Sequence, residues 1–247
     1  MNADRDNALS AGVRSADASL ESVRAVSFDL DDTLWHCAPA IARADAALFQ
    51  WFQASTPKIV SVHTPESILD HQSRVRQKYP ELRRCVSSMR LACLRDLLAE
   101  FDYPVSMAEE AFDVFYQARS EVELYEDALD LLKLLKSRYR LAAITNGNAD
   151  LDLIGIAPYF DVILAANMTS APKPEPDMFH DCLGFLELPS QALLHVGDNP
   201  LTDVFGARNA GAQTLWFNQY NEEWPEHLPQ PHFQVQTLSD IGALLIR

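Results

Sequence analysis

The sequence lacks any run near the roughly 18 consecutive apolar residues that a membrane-spanning helix needs, so no transmembrane helix is expected. It is poor in positive charge: 20 Lys and Arg against 35 Asp and Glu leave a formal net charge of −15. A surface that acidic repels nucleic acid and anionic lipid, so neither is an expected partner. It has only four cysteines, Cys37, Cys85, Cys93 and Cys182, with no C-x-x-C pair. At 247 residues a chain needs no disulfides to hold a core, and the pattern fits reduced thiols in a cytoplasmic setting. The first 23 residues have no apolar stretch of the kind a secretory signal carries and read as an unstructured tail. No internal repeat and no low-complexity tract is present. What remains is ample: 48% hydrophobic residues can bury a full core spread over one or two domains.

Short apolar runs recur along that remainder. Ala25–Phe28 ends abruptly at Asp29, and similar runs stand at Leu141–Ile144, Val162–Leu164, Leu193–Val196 and Thr214–Phe217. Amphipathic segments separate them; Ala128, Leu131, Leu132 and Leu135 fall on one helical face. Strands alternating with helices predict an α/β fold, a doubly wound parallel sheet covered on both faces, with ligands at the strands' carboxyl ends. The gap between the first two runs is too long for one crossover. From 38 to 120 it reads as helical, with Pro57, Pro65, Pro80 and Pro104 at helix boundaries. The expected organisation is a tail over 1–23, a core over 24–37 and 121–247, and an inserted helical cap over 38–120.

Four polar motifs follow the predicted strands. The first is Phe28-Asp29-Leu30-Asp31-Asp32-Thr33-Leu34, where two carboxylates two residues apart can divide attack and proton transfer. Thr145-Asn146-Gly147-Asn148 offers a hydroxyl, an amide and backbone N–H groups suited to phosphate oxygens. Pro172-Lys173-Pro174 stiffens a lysine. Gly197-Asp198-Asn199-Pro200 caps a helix predicted to run to Ala210 and stop at Gly211, with Asp203 in its first turn near Asp198. Each motif taken alone is equally an acidic turn, an Asn-Gly turn, a loop lysine or a helix cap.

Together and in this order, these motifs resemble the signature set of the haloacid dehalogenase-like hydrolases. The resemblance implies a Rossmann-like core with a four-helix cap, Asp29 as nucleophile and Asp31 as general acid and base. It makes Thr145 and Lys173 phosphoryl ligands with Asn146 as a helper. A metal would be held by Asp29, the Asp31 main-chain carbonyl and Asp198, with Asp203 supporting from behind. Simple electrostatics asks for the same cations. Like charges about 4 Å apart repel by roughly 4 kcal/mol per pair at an effective dielectric near 20. Four aspartates beside a phosphate dianion therefore require Lys173 and a hard divalent ion, for which Mg²⁺ is best suited. No His or Cys accompanies these motifs, which argues against zinc.

Within that family, true dehalogenases lack an acid two residues after the nucleophile, because a halide needs no proton to leave. Asp31 therefore points to cleavage of a small-molecule phosphate ester. The core runs Phe28–Leu34, Ala142–Ala149 and Leu194–Asp198 are similar to those of bacterial phosphatases acting on flavin mononucleotide and on 5-amino-6-(5-phospho-D-ribitylamino)uracil. A phosphoryl transferase or mutase, a sugar or nucleotide phosphatase and a non-catalytic binding protein are the alternatives; oligomeric state is not legible. In the cap, Arg74, Arg76, Lys78, Arg83, Arg84, Arg90 and Arg95 are expected mainly on a solvated helical face, with one or two facing substrate. Trp35 is either a stacking surface or hinge packing, and His195 is expected to be a core histidine.

Overall fold

The computed structural model describes residues 19–246. Most of the expected tail, 1–18, lies outside the described residues. Leu20–Ser22 already form a 3₁₀ turn against the sheet, where the Gln213 side chain accepts from the Ser19 amide (3.0 Å) and donates to the Ser19 carbonyl (2.9 Å).

The chain then enters β1 (Ala25–Phe28) and leaves the core for the cap: α1 (Cys37–Ser55), the single turn α2 (Pro57–Val60), α3 (Pro65–Lys78), α4 (Val86–Glu100) and α5 (Met107–Arg119). It returns through α6 (Ala128–Lys136), β2 (Arg140–Thr145), the short α7 (Leu151–Ile154), β3 (Val162–Ala165), α8 (Asp177–Leu186) and β4 (Leu193–Gly197). A wide π-helical turn over Pro200–Phe205 leads into α9 (Gly206–Asn209), followed by β5 (Gln213–Phe217), β6 (Phe233–Val235) and α10 (Leu238–Leu245).

All pairings are parallel, in the order β3-β2-β1-β4-β5-β6. Period-two alternation sends the strand side chains to opposite faces. Val26, Phe28, Leu141 and Ala143 pack with the Leu131, Leu132 and Leu135 face of α6 and with Ile241 of α10. Ala25, Ala142 and Ile144 pack with Met178, Phe179 and Cys182 of α8 and Ala207 of α9. Burial on both faces explains why the strands read as unbroken apolar runs. The cap has a separate cluster built on Phe52, Ile59, Leu94, Leu97, Leu98 and Phe115.

Two crossings join cap and core, and they are stitched together. Trp35 bridges Leu124, the Tyr125 amide donates to the Leu34 carbonyl at 2.9 Å, and the His36 and Tyr125 rings meet edge to face at 4.6 Å. Trp35 is fully buried in this hinge. No helix among the described residues is long and apolar enough to cross a membrane. The cysteines are free thiols, with Cys93 and Cys182 buried.

Two features depart from the sequence expectation. β6 has only three residues and no apolar run to announce it. The helix after Asn199 starts as a π-helical turn: the Asn199 carbonyl accepts from both Asp203 (3.0 Å) and Val204 (3.3 Å). Asn199 caps it through Oδ1, which accepts from the Leu201 and Thr202 amides, each at 3.0 Å. The wide turn lets Asp203 Oδ2 reach back to the Asn199 amide at 2.9 Å.

Candidate active site

Strand order reverses at β1, whose neighbours β2 and β4 lie on either side. At such a switch point the carboxyl ends of adjacent strands open a crevice. Asp29 follows β1 directly and continues its ladder, donating its amide to the Val196 carbonyl at 2.8 Å. Thr145 ends β2, and Asp198 follows β4. Topology thus delivers three polar side chains to one edge from three apolar strands.

Lys173 arrives from the loop before α8. Its ammonium is buried and donates to Asp29 Oδ1 at 2.8 Å and to Asp203 Oδ1 at 2.6 Å. The Asn146 side chain grips the Lys173 main chain at both ends: Nδ2 donates to its carbonyl (2.8 Å), and Oδ1 accepts from its amide (3.0 Å). Thr145 Oγ1 accepts from the Gly147 amide at 2.9 Å, shaping the turn beside Asp31. Of the expected residues, Asp29, Lys173, Asp198 and Asp203 form one cluster. Asn146 sits behind Lys173.

The carboxylate oxygens of Asp29, Asp198 and Asp203 approach within 4.8 Å of one another. Burial pushes Asp29 well above the ordinary carboxylate range; Lys173 opposes this, while Asp203 and Asp198 reinforce it. Burial, then Asp203 and Asp32, push Asp198 up to about 7. Burial also works against charge on Asp203, yet Lys173 and His195 hold it far below its ordinary value. Lys173 stays protonated: burial disfavours its charge, but Asp203 and Asp29 outweigh that. One ammonium facing three acidic side chains leaves a centre short of positive charge, with hard oxygen donors and no thiolate. That donor set fits Mg²⁺. Asp203 has both oxygens engaged by Lys173, His195 and the Asn199 amide, so Asp29 and Asp198 are the better placed to hold an ion.

Asp31 turns the other way, towards the cap. Its Oδ1 accepts from Trp35 Nε1 at 2.9 Å, and both oxygens accept from Arg119 Nη2, at 2.7 and 2.6 Å. Trp35 is therefore hinge packing with a polar contact to Asp31. Arg119, the last residue of α5, was not among the basic cap residues singled out from sequence. The only signal was its place, a lone Arg where the cap returns to the core. Two glycines are required by close approach. A Cβ on Gly147 would lie 2.5 Å from Asp31 Oδ2, and one on Gly197 would lie 2.3 Å from Asp203 Cγ.

Between cap and core lies a cleft of about 280 Å³, lined on the core side by Asp31, Gly147 and Asn148 and on the cap side by Arg76, Arg90 and Arg119 among others. Arg90 pairs with Asp45 at 3.0 Å and lies 3.5 Å over the Phe115 ring. Lys78 and Arg95 instead pair with Asp96 and Glu109 on exposed helix faces. The Arg83 side chain lies outside the described residues. His195 is buried between Ser27 Oγ (2.8 Å) and Asp203 Oδ1 (3.4 Å), a core position with a link to the site.

Comparison with known proteins agrees with this geometry. A family profile described as haloacid dehalogenase-like hydrolase matches residues 23–211. The chain is 30% identical over 234 residues to the 5-amino-6-(5-phospho-D-ribitylamino)uracil phosphatase YigB of Escherichia coli, covering 92% of this chain and 98% of that protein. It is 28% identical to the N-acylneuraminate-9-phosphatase of Rattus norvegicus, covering 92% and 95%. Among solved structures, a 2-haloacid dehalogenase from Pseudomonas syringae matches with a TM-score of 0.82 at 33% identity, covering 91% of this chain and 99% of that one. The chain belongs to the haloacid dehalogenase-like hydrolases and is a phosphoric monoester hydrolase.

Proposed function

We propose that this phosphatase is Mg²⁺-dependent and hydrolyses a small phosphate ester through an aspartyl phosphate on Asp29. The observation that carries the reading is Lys173 seated on Asp29 Oδ1, next to Asp198 and two residues from Asp31 along the chain. Lys173 fixes the carboxylate and favours its ionised form against the pull of burial. An Asp29 oxygen attacks phosphorus, the phosphorus–ester oxygen bond breaks, and Asp31 gives its proton to the departing alkoxide. Asp31 then takes a proton from water, whose oxygen attacks phosphorus, and the Asp29–phosphorus bond breaks. Phosphate leaves and the Asp29 carboxylate is restored. Mg²⁺, held by Asp29 and Asp198, would supply positive charge for the phosphoryl oxygens.

The ribitylaminouracil phosphate named for YigB is the first substrate to test, with flavin mononucleotide second. The experiment is a panel of phosphate esters with Mg²⁺, ranked by kcat/KM, alongside a 2-haloacid. Phosphate release that falls at least about a thousandfold in Asp29→Asn is expected. Full turnover by that variant, or halide release without phosphate release, overturns the reading.

A further inference from the structure

Arg119 occupies a position that a guanidinium takes only under constraint. Its side chain is 1% exposed, at the junction of α5 and the core. Nη2 is spent on both oxygens of Asp31. Nη1 is buried and has no hydrogen-bond partner among the described residues. A charged donor left unmet in a buried wall is destabilising and calls for an acceptor. Arg119 lines the cleft together with Asp31 and Gly147. The floor there is bare by necessity, since a Cβ on Gly147 would meet Asp31 Oδ2 at 2.5 Å and Arg119 Nη2 at 3.5 Å.

We propose that Nη1 binds an oxygen on the carbon next to the ester carbon, so that the cleft selects phosphate esters of vicinal diols and longer polyols. The proposal rests on the phosphatase reading above. Asp31 must reach the bridging ester oxygen to protonate it. The two terminal nitrogens of a guanidinium lie side by side in one plane. With Nη2 on Asp31, the neighbouring Nη1 is one short step further along the leaving group. A hydroxyl vicinal to the ester stands at that step; an alkyl carbon there leaves the donor unmet. Arg119 thereby ties cap position, Asp31 orientation and substrate choice to one side chain.

The test compares glycerol 3-phosphate with 3-hydroxypropyl phosphate, which has the same carbon chain without the middle hydroxyl. The proteins are the wild type, Arg119→Lys and Arg119→Met, each with Mg²⁺. Wild-type kcat/KM is expected to favour glycerol 3-phosphate by about tenfold or more, the discrimination of one charge-assisted hydrogen bond. That ratio should fall to within about twofold in both variants, whatever their absolute turnover, because lysine has no second terminal nitrogen. A wild-type ratio near one overturns the proposal on its own, even if the variants fail to fold. A ratio preserved in the variants, with equal loss on both esters, also overturns it and places Nη1 on the phosphoryl group. Absence of phosphate release from either ester and from an aryl phosphate overturns the underlying phosphatase reading as well.

Discussion

Asn146 holds Lys173 by its main chain, donating to its carbonyl at 2.8 Å and accepting from its amide at 3.0 Å. The side chain expected to help bind phosphate instead fixes the segment that carries the ammonium. Asn146→Ala removes both bonds; Asn146→Asp keeps the acceptor and loses the donor. Each variant should lose roughly 1–3 kcal/mol of stability and about tenfold or more in kcat, as Lys173 drifts from Asp29. Chemical denaturation and phosphate release measure the two. Wild-type values in both would mean the clamp has no mechanical role.

Adding a Cβ at either of the two tight glycines should cost stability. Gly197→Ala drives a Cβ to within 2.3–2.5 Å of the buried Asp203 side chain, which is fixed by Lys173 and Asn199. Nothing there can yield cheaply, and a loss of roughly 1–3 kcal/mol or more follows from overpacking. Gly147→Ala meets Asp31 Oδ2 at 2.5 Å and Thr145 Oγ1 at 3.1 Å, and Asp31 can move only by giving up Trp35 and the buried Arg119. A loss of about 3 kcal/mol or more is expected together with most of the turnover, because the guanidinium is left without its carboxylate. Thermal melts and kinetics on the same preparations check this, and wild-type stability in Gly147→Ala would contradict the geometry.

What could be read from the sequence follows from how each feature is encoded. Asp29, Thr145 and Asp198 each follow an apolar strand, so a local pattern places them at one sheet edge. Lys173 was legible through its flanking prolines. The ion pair of Arg119 with Asp31 spans 88 positions; Asp31 stands in the first motif, but no local pattern marks Arg119 as its partner. The same holds for His195, whose partners Ser27 and Asp203 come from a different strand and a turn. The π-helical turn at 200–205 is set by Asp203 reaching back to the Asn199 amide, a tertiary demand that helix propensity does not record.

Metal affinity should depend on pH through Asp198. Its carboxyl titrates near 7 in the metal-free protein, against 3.8 in an unperturbed chain. The folded state therefore holds a proton between pH 4 and 7 that the unfolded chain has released, and Asp198 lowers stability as pH rises through 7. A cation needs the ionised form, so binding expels that proton. Asp29, also raised, can add a second proton to be expelled, so the dissociation constant for Mg²⁺ should rise at least about tenfold per pH unit below 7. The gain in Tm from saturating Mg²⁺ should correspondingly be larger at pH 8 than at pH 6. Calorimetric titration at pH 6, 7 and 8 decides, and a flat affinity across that range would rule out Asp198 as the group that must ionise.

His195 should make the protein sensitive to acid. Burial drives its pKa down from 6.5 to about 4, against a partly compensating bond to Asp203. With Asp203 ionised, the ring proton belongs on Nε2, and Nδ1 accepts from Ser27. Between pH 6.5 and 4 the unfolded chain binds a proton that the folded ring refuses, so stability falls as pH falls through that window. The full drop is about 3 kcal/mol. In His195→Leu this contribution vanishes, while the titrations of carboxylates remote from the ring cancel in the difference. At pH 7 the variant should be less stable by roughly 1–3 kcal/mol, because Ser27 loses its partner and Asp203 a donor. As pH is lowered to 4.5 that gap should close or reverse. Urea unfolding at pH 7, 5.5 and 4.5 measures it; curves that stay parallel would mean the ring is protonated in the folded core, with its charge held by Asp203.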